Sequence, residues 1–195
     1  MNCVYSVIAM LCAMVLSPSI RAKAVALSLN PAQTQITYTL GAVLHTVDGT
    51  FKLKNGVIQF DSVTGRASGE IVVDATSGES GNSNRDQKMH KSVLESPRYP
   101  EIIFIPERVE GHVSLSGESQ VQLQGLLKLH GSQHEITLPA DIQVSGNQLT
   151  AAVHFAIPYV QWGLKDPSTF ILRVDKTVDI TIHAAGSLSR PSAAH

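Results

Sequence analysis

Cysteine is almost absent from this sequence of 195 residues. The only two, Cys3 and Cys12, lie near the amino terminus. A chain from which that segment had been removed would have no thiol nucleophile, no CxxC redox motif, no thiolate metal site and no disulfide. Its stability would come from the burial of apolar surface and from backbone hydrogen bonds.

An excess of charge of one sign is also lacking. Charged residues are 16% of the chain, and 15 Lys or Arg stand against 16 Asp or Glu, for a net charge of −1. Proteins that bind nucleic acid need a basic excess to neutralise phosphates, so no nucleic acid partner is expected. Hydrophobic residues are 43% and aromatic residues 5%, which excludes collagen, a coiled coil and a disordered tail. The length predicts one domain.

Long hydrophobic runs are scarce too. The only extended one, residues 4–16, has about 13 residues, fewer than the roughly 20 that a membrane-spanning helix needs. It is followed by Ala22-Lys23-Ala24, a small-x-small pattern typical of signal peptidase sites. Residues 1–24 are therefore predicted to be a cleaved signal peptide, which places the protein in the periplasm without a permanent membrane anchor.

Other interpretations of this segment remain open. Ala24-Val25-Ala26 offers a second cleavage site, and the apolar run could instead form a buried or membrane-anchored helix. A lipoprotein signal at Cys12 is disfavoured, because Ala9-Met10-Leu11 lacks the small residue that lipoprotein processing requires just before the cysteine.

Beyond residue 24, the dominant signal is an alternation of apolar and polar residues with a period of two. This pattern puts every second side chain on one face of a strand. Clean alternation is typical of antiparallel sheets with one dry face and one solvated face. The apolar sets are Ile36, Tyr38, Leu40, Ala42 and Leu44; Val121, Leu123, Gly125, Leu127 and Leu129; Ile136, Leu138, Ala140, Ile142 and Val144; Leu149, Ala151, Val153, Phe155 and Ile157; and Val178, Ile180, Ile182 and Ala184.

Short turn signals separate the predicted strands. Lys54-Asn55-Gly56, Thr64-Gly65-Arg66 and Ser145-Gly146-Asn147 are examples. Connections this short join antiparallel neighbours. About eight such strands are expected to close into a barrel or to form a two-sheet sandwich, because both arrangements manage the unpaired edges. The predicted fold class is all-β.

One segment departs from the strand pattern. Ser83 is suited to cap a helix amino terminus, with Asp86 three residues further on, and Pro97 and Pro100 end the helical pattern. A single inserted helix of about ten residues is therefore predicted. The sequence from residue 187 to residue 195 has no periodicity and is predicted to be a flexible tail.

Sequence motifs for catalysis are missing. There is no GxSxG elbow, HExxH helix, GxxxxGK loop or GxGxxG turn after a strand. The eight histidines are scattered, and the closest pair, His130 and His134, flanks a tight turn. Because a metal site normally needs three or four convergent ligands, solvated histidines are favoured over a zinc or copper site. No metal and no cofactor are expected.

Two pairs of residues each have two interpretations. Arg85 and Asp86 form either a charged pair in a functional site or part of a helix cap. Tyr159 and Trp162 are the only aromatic cluster outside a strand. They form either a rim that grips a ligand or a plug that closes one end of the barrel.

Five blocks of sequence together carry a family resemblance. They are Gly81-Asn82-Ser83-Asn84-Arg85-Asp86 with Tyr99-Pro100-Glu101-Ile102-Ile103-Phe104; Ile71-Val72-Val73-Asp74-Ala75; Gly49-Thr50-Phe51 with Gly56-Val57-Ile58-Gln59-Phe60; Gly125-Leu126-Leu127-Lys128-Leu129-His130-Gly131; and Val178-Asp179-Ile180-Thr181-Ile182. With these blocks, of which the first is the most specific, the chain resembles the YceI-like family of bacterial polyisoprenoid-binding domains over about residues 27–186. Where the family often has two phenylalanines after the helix, this chain has Val93 and Leu94.

The resemblance implies an exported, lipocalin-like antiparallel barrel over residues 25–186 that holds a long isoprenoid or similar amphiphile and performs no catalysis. A barrel of about eight strands is wide enough to hold one small ligand. Arg85, Tyr159 and Trp162 are predicted at its mouth. The predicted lining residues are Ile36, Tyr38, Leu40, Phe51, Phe60, Leu127, Val153, Phe155 and Ile157.

Three functions are compatible with the sequence. The leading hypothesis is a periplasmic carrier or store for polyisoprenoid lipids. The second is a barrel that binds another amphiphile, such as a fatty acid or its amide, and the third is an enzyme or a structural module, for example in stress. The oligomeric state is not fixed, and a homodimer is one option.

Overall fold

The computed structural model describes residues 24–189 apart from residues 44, 115 and 171. The predicted signal peptide, except for its last residue, and the predicted inward position Leu44 therefore lie outside the described residues. The strands are β1 (Ala24–Leu29), β2 (Gln35–Leu40), β3 (Val47–Asp61), β4 (Ala67–Glu79), β5 (Glu101–Glu110), β6 (Gly117–Leu129), β7 (Ser132–Ser145), β8 (Gln148–Ile157) and β9 (Val178–Ser189).

The strands form a closed antiparallel barrel, which confirms the all-β, lipocalin-like prediction. From β2 to β9, each strand pairs with the next along the chain, and β9 pairs back with β2. The additional strand, β1, runs in line with β2 and fills the rest of the gap between β3 and β9. The barrel therefore has eight strand positions, one of which is shared by β1 and β2.

Three boundaries differ from the sequence-based expectation. The predicted strand over residues 35–45 ends at Leu40. The next residue, Gly41, has no room for a side chain, because the Asp175 side chain packs against it and a Cβ on Gly41 would lie 2.1 Å from Asp175 Oδ2. The predicted turn at residues 54–56 is a register shift within β3, since Gly56 instead makes room for Leu29 of β1. The predicted tail from residue 187 begins as strand, since β9 continues to Ser189.

The last of these boundaries is explained by burial. Leu188 is 6% exposed and pairs with Leu27 of β1. Burial of this side chain holds the end of β9 on the barrel.

Among the described residues, one helical segment is present, between β4 and β5. It consists of α1 (Ser83–Lys88) and a π-helical continuation, Met89–Val93. Its N-cap is Asn82 and not the predicted Ser83: the Asn82 side chain accepts a hydrogen bond from the Arg85 backbone N–H at 3.1 Å. In the described part of the chain, no helix is long and apolar enough to cross a membrane.

The barrel has two unlike ends. The upper end is framed by larger connections and includes the helical segment, whereas short turns close the lower end. Below the middle, a dense cluster that includes Val25, Val144 and Leu149 fills the interior; we call it the lower core. The upper connections are residues 41–46, 80–100, 130–131 and 158–177, and the lower ones are residues 30–34, 62–66, 111–116 and 146–147.

Candidate functional site: an apolar cavity at the upper end

The upper half of the barrel contains a cavity of about 590 Å³. Its wall is built mainly from inward-facing strand residues, and its mouth from the helical segment and the upper connections. No residue of the lower core lines it, so the cavity ends above that core. The lining residues are Tyr38, Leu40, Ala42, His45, Val47, Phe51, Asn82, Asn84, Arg85, Lys88, Met89, Val93, Leu94, Ile102, Leu129, Ile157, Tyr159, Leu164, Pro167, Leu172, Val174, Val178 and Ile180.

Four of the nine predicted lining residues line the cavity: Tyr38, Leu40, Phe51 and Ile157. The rings of Tyr38 and Phe51 pack against each other, with their centroids 5.5 Å apart. These four residues lie near the upper ends of their strands, where the interior is not filled by neighbouring side chains.

The other five predicted lining residues are not among those that line the cavity. Phe60 belongs to the lower core, and Leu127 is buried in the cluster beside the cavity, with Val153 and Phe155 packed against it. Ile36 is 5% exposed. Alternation identifies the inward face of a strand but not the depth at which the interior is full, and this is why the sequence placed these residues in the lining.

Of the three predicted mouth residues, Arg85 and Tyr159 line the cavity and Trp162 does not. Trp162 stacks on His134, with ring centroids 3.9 Å apart and an interplanar angle of 4°. The turn after β8 brings Leu164 inward instead, and Leu164 is only 4% exposed. Trp162 therefore packs the connection against the β6–β7 hairpin.

Tyr159 fixes the connection between β8 and β9. It is 5% exposed, and its hydroxyl donates a hydrogen bond to the Asp175 carbonyl oxygen at 2.7 Å. Burial raises the pKa of Tyr159 to about 12, with smaller contributions from the Asp166 and Asp175 carboxylates. Of its two interpretations, the geometry favours a structural plug that also forms part of the cavity wall.

The raised pKa of Tyr159 predicts a pH dependence of stability. The folded protein holds the phenolic proton more tightly than the unfolded chain, so its contribution is constant below pH 10 and decreases as the pH rises towards 12. We expect the difference in free energy of unfolding between wild type and Tyr159→Phe to shrink across that interval in urea denaturation. A difference that does not change with pH would contradict this assignment.

Arg85 and Asp86 join the helical segment to the end of β4. The Arg85 guanidinium donates to the Ser80 hydroxyl at 2.7 Å and to the Ser80 carbonyl oxygen at 2.8 Å. The Asp86 carboxylate accepts from the Ser80 backbone N–H at 2.9 Å and also from its hydroxyl. The pair therefore has a structural role, and Arg85 contributes a cation to the cavity wall as well.

Apart from the hydroxyls of Tyr38 and Tyr159, the polar side chains of the cavity lie on the upper connections that form its mouth. They are the amides of Asn82 and Asn84, the cations Arg85 and Lys88, and the imidazole of His45. Among the described residues, no Asp or Glu lines the cavity. The Lys88 ammonium donates to the Pro167 carbonyl oxygen at 2.7 Å, which links the helical segment to the β8–β9 connection across the mouth. An apolar chamber under a donor-rich, cationic mouth suits an amphiphile.

The two histidines of the β6–β7 hairpin do not converge on one point. The His130 ring lies 4.6 Å from the Tyr99 ring and its Nε2 lies 3.3 Å from Glu95, whereas His134 stacks on Trp162. Within the described ranges, no group of three or more His, Cys, Asp or Glu side chains is placed to hold a metal ion.

Several lining residues were not predicted from the sequence. Met89, Val93 and Leu94 come from the helical segment, and Leu172 and Val174 come from the β8–β9 connection. The lengths of the connections could have identified these residues from the sequence, because the long connections of the barrel lie at one end and frame the mouth. Val93 and Leu94, at the positions where phenylalanines are frequent in the resembling family, form part of the wall.

A family model for the YceI-like domain matches residues 27–185. Solved structures with the same fold include BcnA of Burkholderia cenocepacia, 16% identical over 80% of this chain and 98% of that one, with a TM-score of 0.65. A polyisoprenoid-binding domain from Saccharophagus degradans, implicated in plant cell wall breakdown, is 14% identical over 87% of this chain and 100% of that one, with a TM-score of 0.64. The YceI protein of Campylobacter jejuni is 16% identical over 72% of this chain and 84% of that one, with a TM-score of 0.58. Among curated proteins, none matches the chain.

Proposed function

Because the chain belongs to the family of YceI-like domains, we propose that it binds a long-chain lipid of the polyisoprenoid type in the cavity of its barrel. Its role is to carry or store this lipid in the periplasm, without a catalytic step. A polyisoprenoid-binding domain is among the proteins that share its fold.

The observation that carries the proposal is the cavity, an apolar chamber closed below and open above. Its volume of about 590 Å³ lies within the range of roughly 300–1,000 Å³ that is usual for small-molecule sites. Aliphatic side chains such as Leu40, Leu129, Ile157 and Ile180 dominate its wall. A flexible hydrocarbon chain can follow such a wall because it requires no hydrogen-bonding partner there.

The mouth determines which polar headgroup the ligand can have. Asn82, Asn84 and Lys88 offer hydrogen-bond donors, and the cations Lys88 and Arg85 have no acidic partner in the cavity lining. A headgroup that carries hydrogen-bond acceptors or negative charge is therefore favoured over a cationic one. The same mouth is also compatible with a second candidate ligand, a fatty acid whose carboxylate lies at the mouth.

Chain length should determine affinity. Each methylene-sized group buried contributes roughly 0.8 kcal/mol, so the five carbons of a prenyl unit contribute at most about 4 kcal/mol. Ordering the chain offsets part of this, and the affinity for prenyl alcohols should therefore rise at least about tenfold per added prenyl unit. The rise should end when the tail fills the cavity. Calorimetric titration with prenyl alcohols and with fatty acids of matched length would measure this and would separate the two candidates. Affinity that does not depend on length would contradict a tail-in orientation.

We propose that the protein is exported to the periplasm before it binds its ligand. Cleavage after Ala24 leaves nearly all of β1 in place, whereas cleavage after Ala26 would remove Val25, which is 1% exposed and lies in the lower core. This supports a mature amino terminus at Val25. Sequencing the amino terminus of protein from the periplasmic fraction decides the point, and an intact Met1 on soluble cytoplasmic protein would contradict export.

A further inference from the structure

Exposed apolar side chains gather around the mouth of the cavity. Among the described residues, five large hydrophobic side chains are strongly exposed, and three of them lie on the upper connections. These are Phe170, fully exposed, Val43, 70% exposed, and Leu172, 36% exposed. Exposed apolar residues are normal when scattered, but a cluster around an opening indicates an interaction surface.

The two connections that carry these side chains are joined to each other. The Val43 backbone N–H donates to the Arg173 carbonyl oxygen at 3.2 Å, and Ala42 and Val174 form an antiparallel bridge. The Asp175 N–H donates to the Gly41 carbonyl oxygen at 2.8 Å. The Thr169 N–H donates to the Leu172 carbonyl oxygen at 2.7 Å, which closes the turn that carries Phe170. We call Val43, Phe170 and Leu172, on these two joined connections, the rim.

The rim is continuous with the cavity lining at Leu172. Leu172 is both exposed and part of the cavity lining, and Ala42 and Val174, beside Val43 and Arg173 respectively, also line the cavity. A hydrocarbon chain leaving the cavity at this side would pass directly onto the rim. An apolar surface placed there shortens the path of a lipid through water.

Cations surround the rim. Lys88, Lys165, Arg173 and Lys176 are exposed on the helical segment and the β8–β9 connection. Lysine and arginine next to an apolar patch are typical of surfaces that bind anionic lipid headgroups.

Three acids of the upper connections, Asp86, Asp166 and Asp175, each contact another residue of these connections. The Asp166 carboxylate accepts from the Ser168 N–H at 2.8 Å, and the Asp175 carboxylate packs against Gly41. Asp86 accepts from Ser80.

We propose that the rim docks on an anionic phospholipid bilayer, with Val43, Phe170 and Leu172 inserted among the headgroups and the neighbouring Lys and Arg on lipid phosphates. The mouth then faces the membrane, and a lipid passes between bilayer and cavity without crossing bulk water. Docking does not require an occupied cavity, so it is separate from the ligand proposal.

Vesicle co-sedimentation tests the docking surface. Wild-type protein should bind vesicles that contain phosphatidylglycerol more tightly than vesicles of phosphatidylcholine alone. The double variant Phe170→Ser/Leu172→Ser should bind them at least about tenfold more weakly, since it removes most of the insertable apolar area. Val63→Ser is the matched control: Val63 is 64% exposed at the lower end, and its replacement should leave vesicle binding unchanged.

The charge contribution has its own variant. Arg173→Gln should weaken binding to phosphatidylglycerol vesicles about fivefold, because a cation near such a surface contributes about 1 kcal/mol. It should have no effect on phosphatidylcholine vesicles. Circular dichroism verifies that each variant remains folded.

Two results would overturn the docking proposal. One is the absence of vesicle binding by wild type, and the other is equal binding by wild type and the Phe170→Ser/Leu172→Ser variant. A blocked cavity, as in Ile180→Trp, should bind vesicles as wild type does. Vesicle binding by wild type without any uptake of added lipid would therefore refute the ligand proposal alone, and lipid uptake by wild type without vesicle binding would refute docking alone.

Discussion

Val144→Asp should prevent the barrel from folding. Val144 is 1% exposed and lies in the lower core with Val25 and Leu149, so a carboxylate at this position would have no solvent. Burying an unpaired charge costs several kcal/mol, a large part of the roughly 5–15 kcal/mol by which a typical domain is stable. Far-UV circular dichroism and urea denaturation would measure the loss.

Gln143→Asp is the matched control. Gln143 is the adjacent residue of β7 and is exposed on the outer face of the barrel. It should change the free energy of unfolding by no more than about 0.5 kcal/mol, as is usual for surface substitutions. Equal tolerance of the two substitutions would show that the inward and outward faces are assigned incorrectly.

Ile180→Trp should abolish most ligand binding while leaving the barrel folded. Ile180 lines the cavity from β9, opposite Tyr38 of β2 and Phe155 of β8 in the strand register. The indole would extend into the volume that the lipid tail needs, so the tail could bind only with strain. Overpacking of this kind typically costs about 1–3 kcal/mol, which corresponds to a loss of affinity of about 5- to 150-fold.

His183→Trp provides the control for Ile180→Trp. His183 lies on the same strand and is exposed on its outer face, so the same aromatic ring is added without entering the cavity. Its affinity for a long prenyl alcohol in calorimetric titration should equal that of wild type. If both variants bind as wild type does, the ligand site lies elsewhere on the molecule.

The closed barrel could be predicted from the sequence because the patterns that specify its strands and turns lie within short stretches of sequence. Alternation in Val121–Leu129 and in Leu149–Ile157 fixes which side chains face inward, and turns such as residues 146–147 fix antiparallel neighbours. The family resemblance added closure into a lipocalin-like barrel. In contrast, β1 shares a strand position with β2 through contacts with β3 and β9, which are remote in sequence and leave no local pattern.

The site could be predicted only in part, since a period of two carries no information about depth. Phe60 and Tyr38 both lie on inward faces, but Phe60 fills the lower core and Tyr38 lines the cavity. Trp162 was placed at the mouth because aromatic residues in a connection suit a rim, whereas its orientation depends on stacking with His134. The contributions of Lys88 and Leu172 depend on how two remote connections meet, and only the folded chain contains that information.

Mass spectrometry of organic extracts tests the central claim, that the cavity holds a long-chain lipid, most directly. Wild-type protein and the Ile180→Trp variant would be purified in parallel, without detergent, and extracted with organic solvent. The account predicts a long-chain isoprenoid or related amphiphile in near-equimolar amount from wild type, and a strongly reduced amount from Ile180→Trp. Equal amounts of lipid from the two proteins, or no lipid from wild type together with no uptake of added prenyl alcohol, would contradict it.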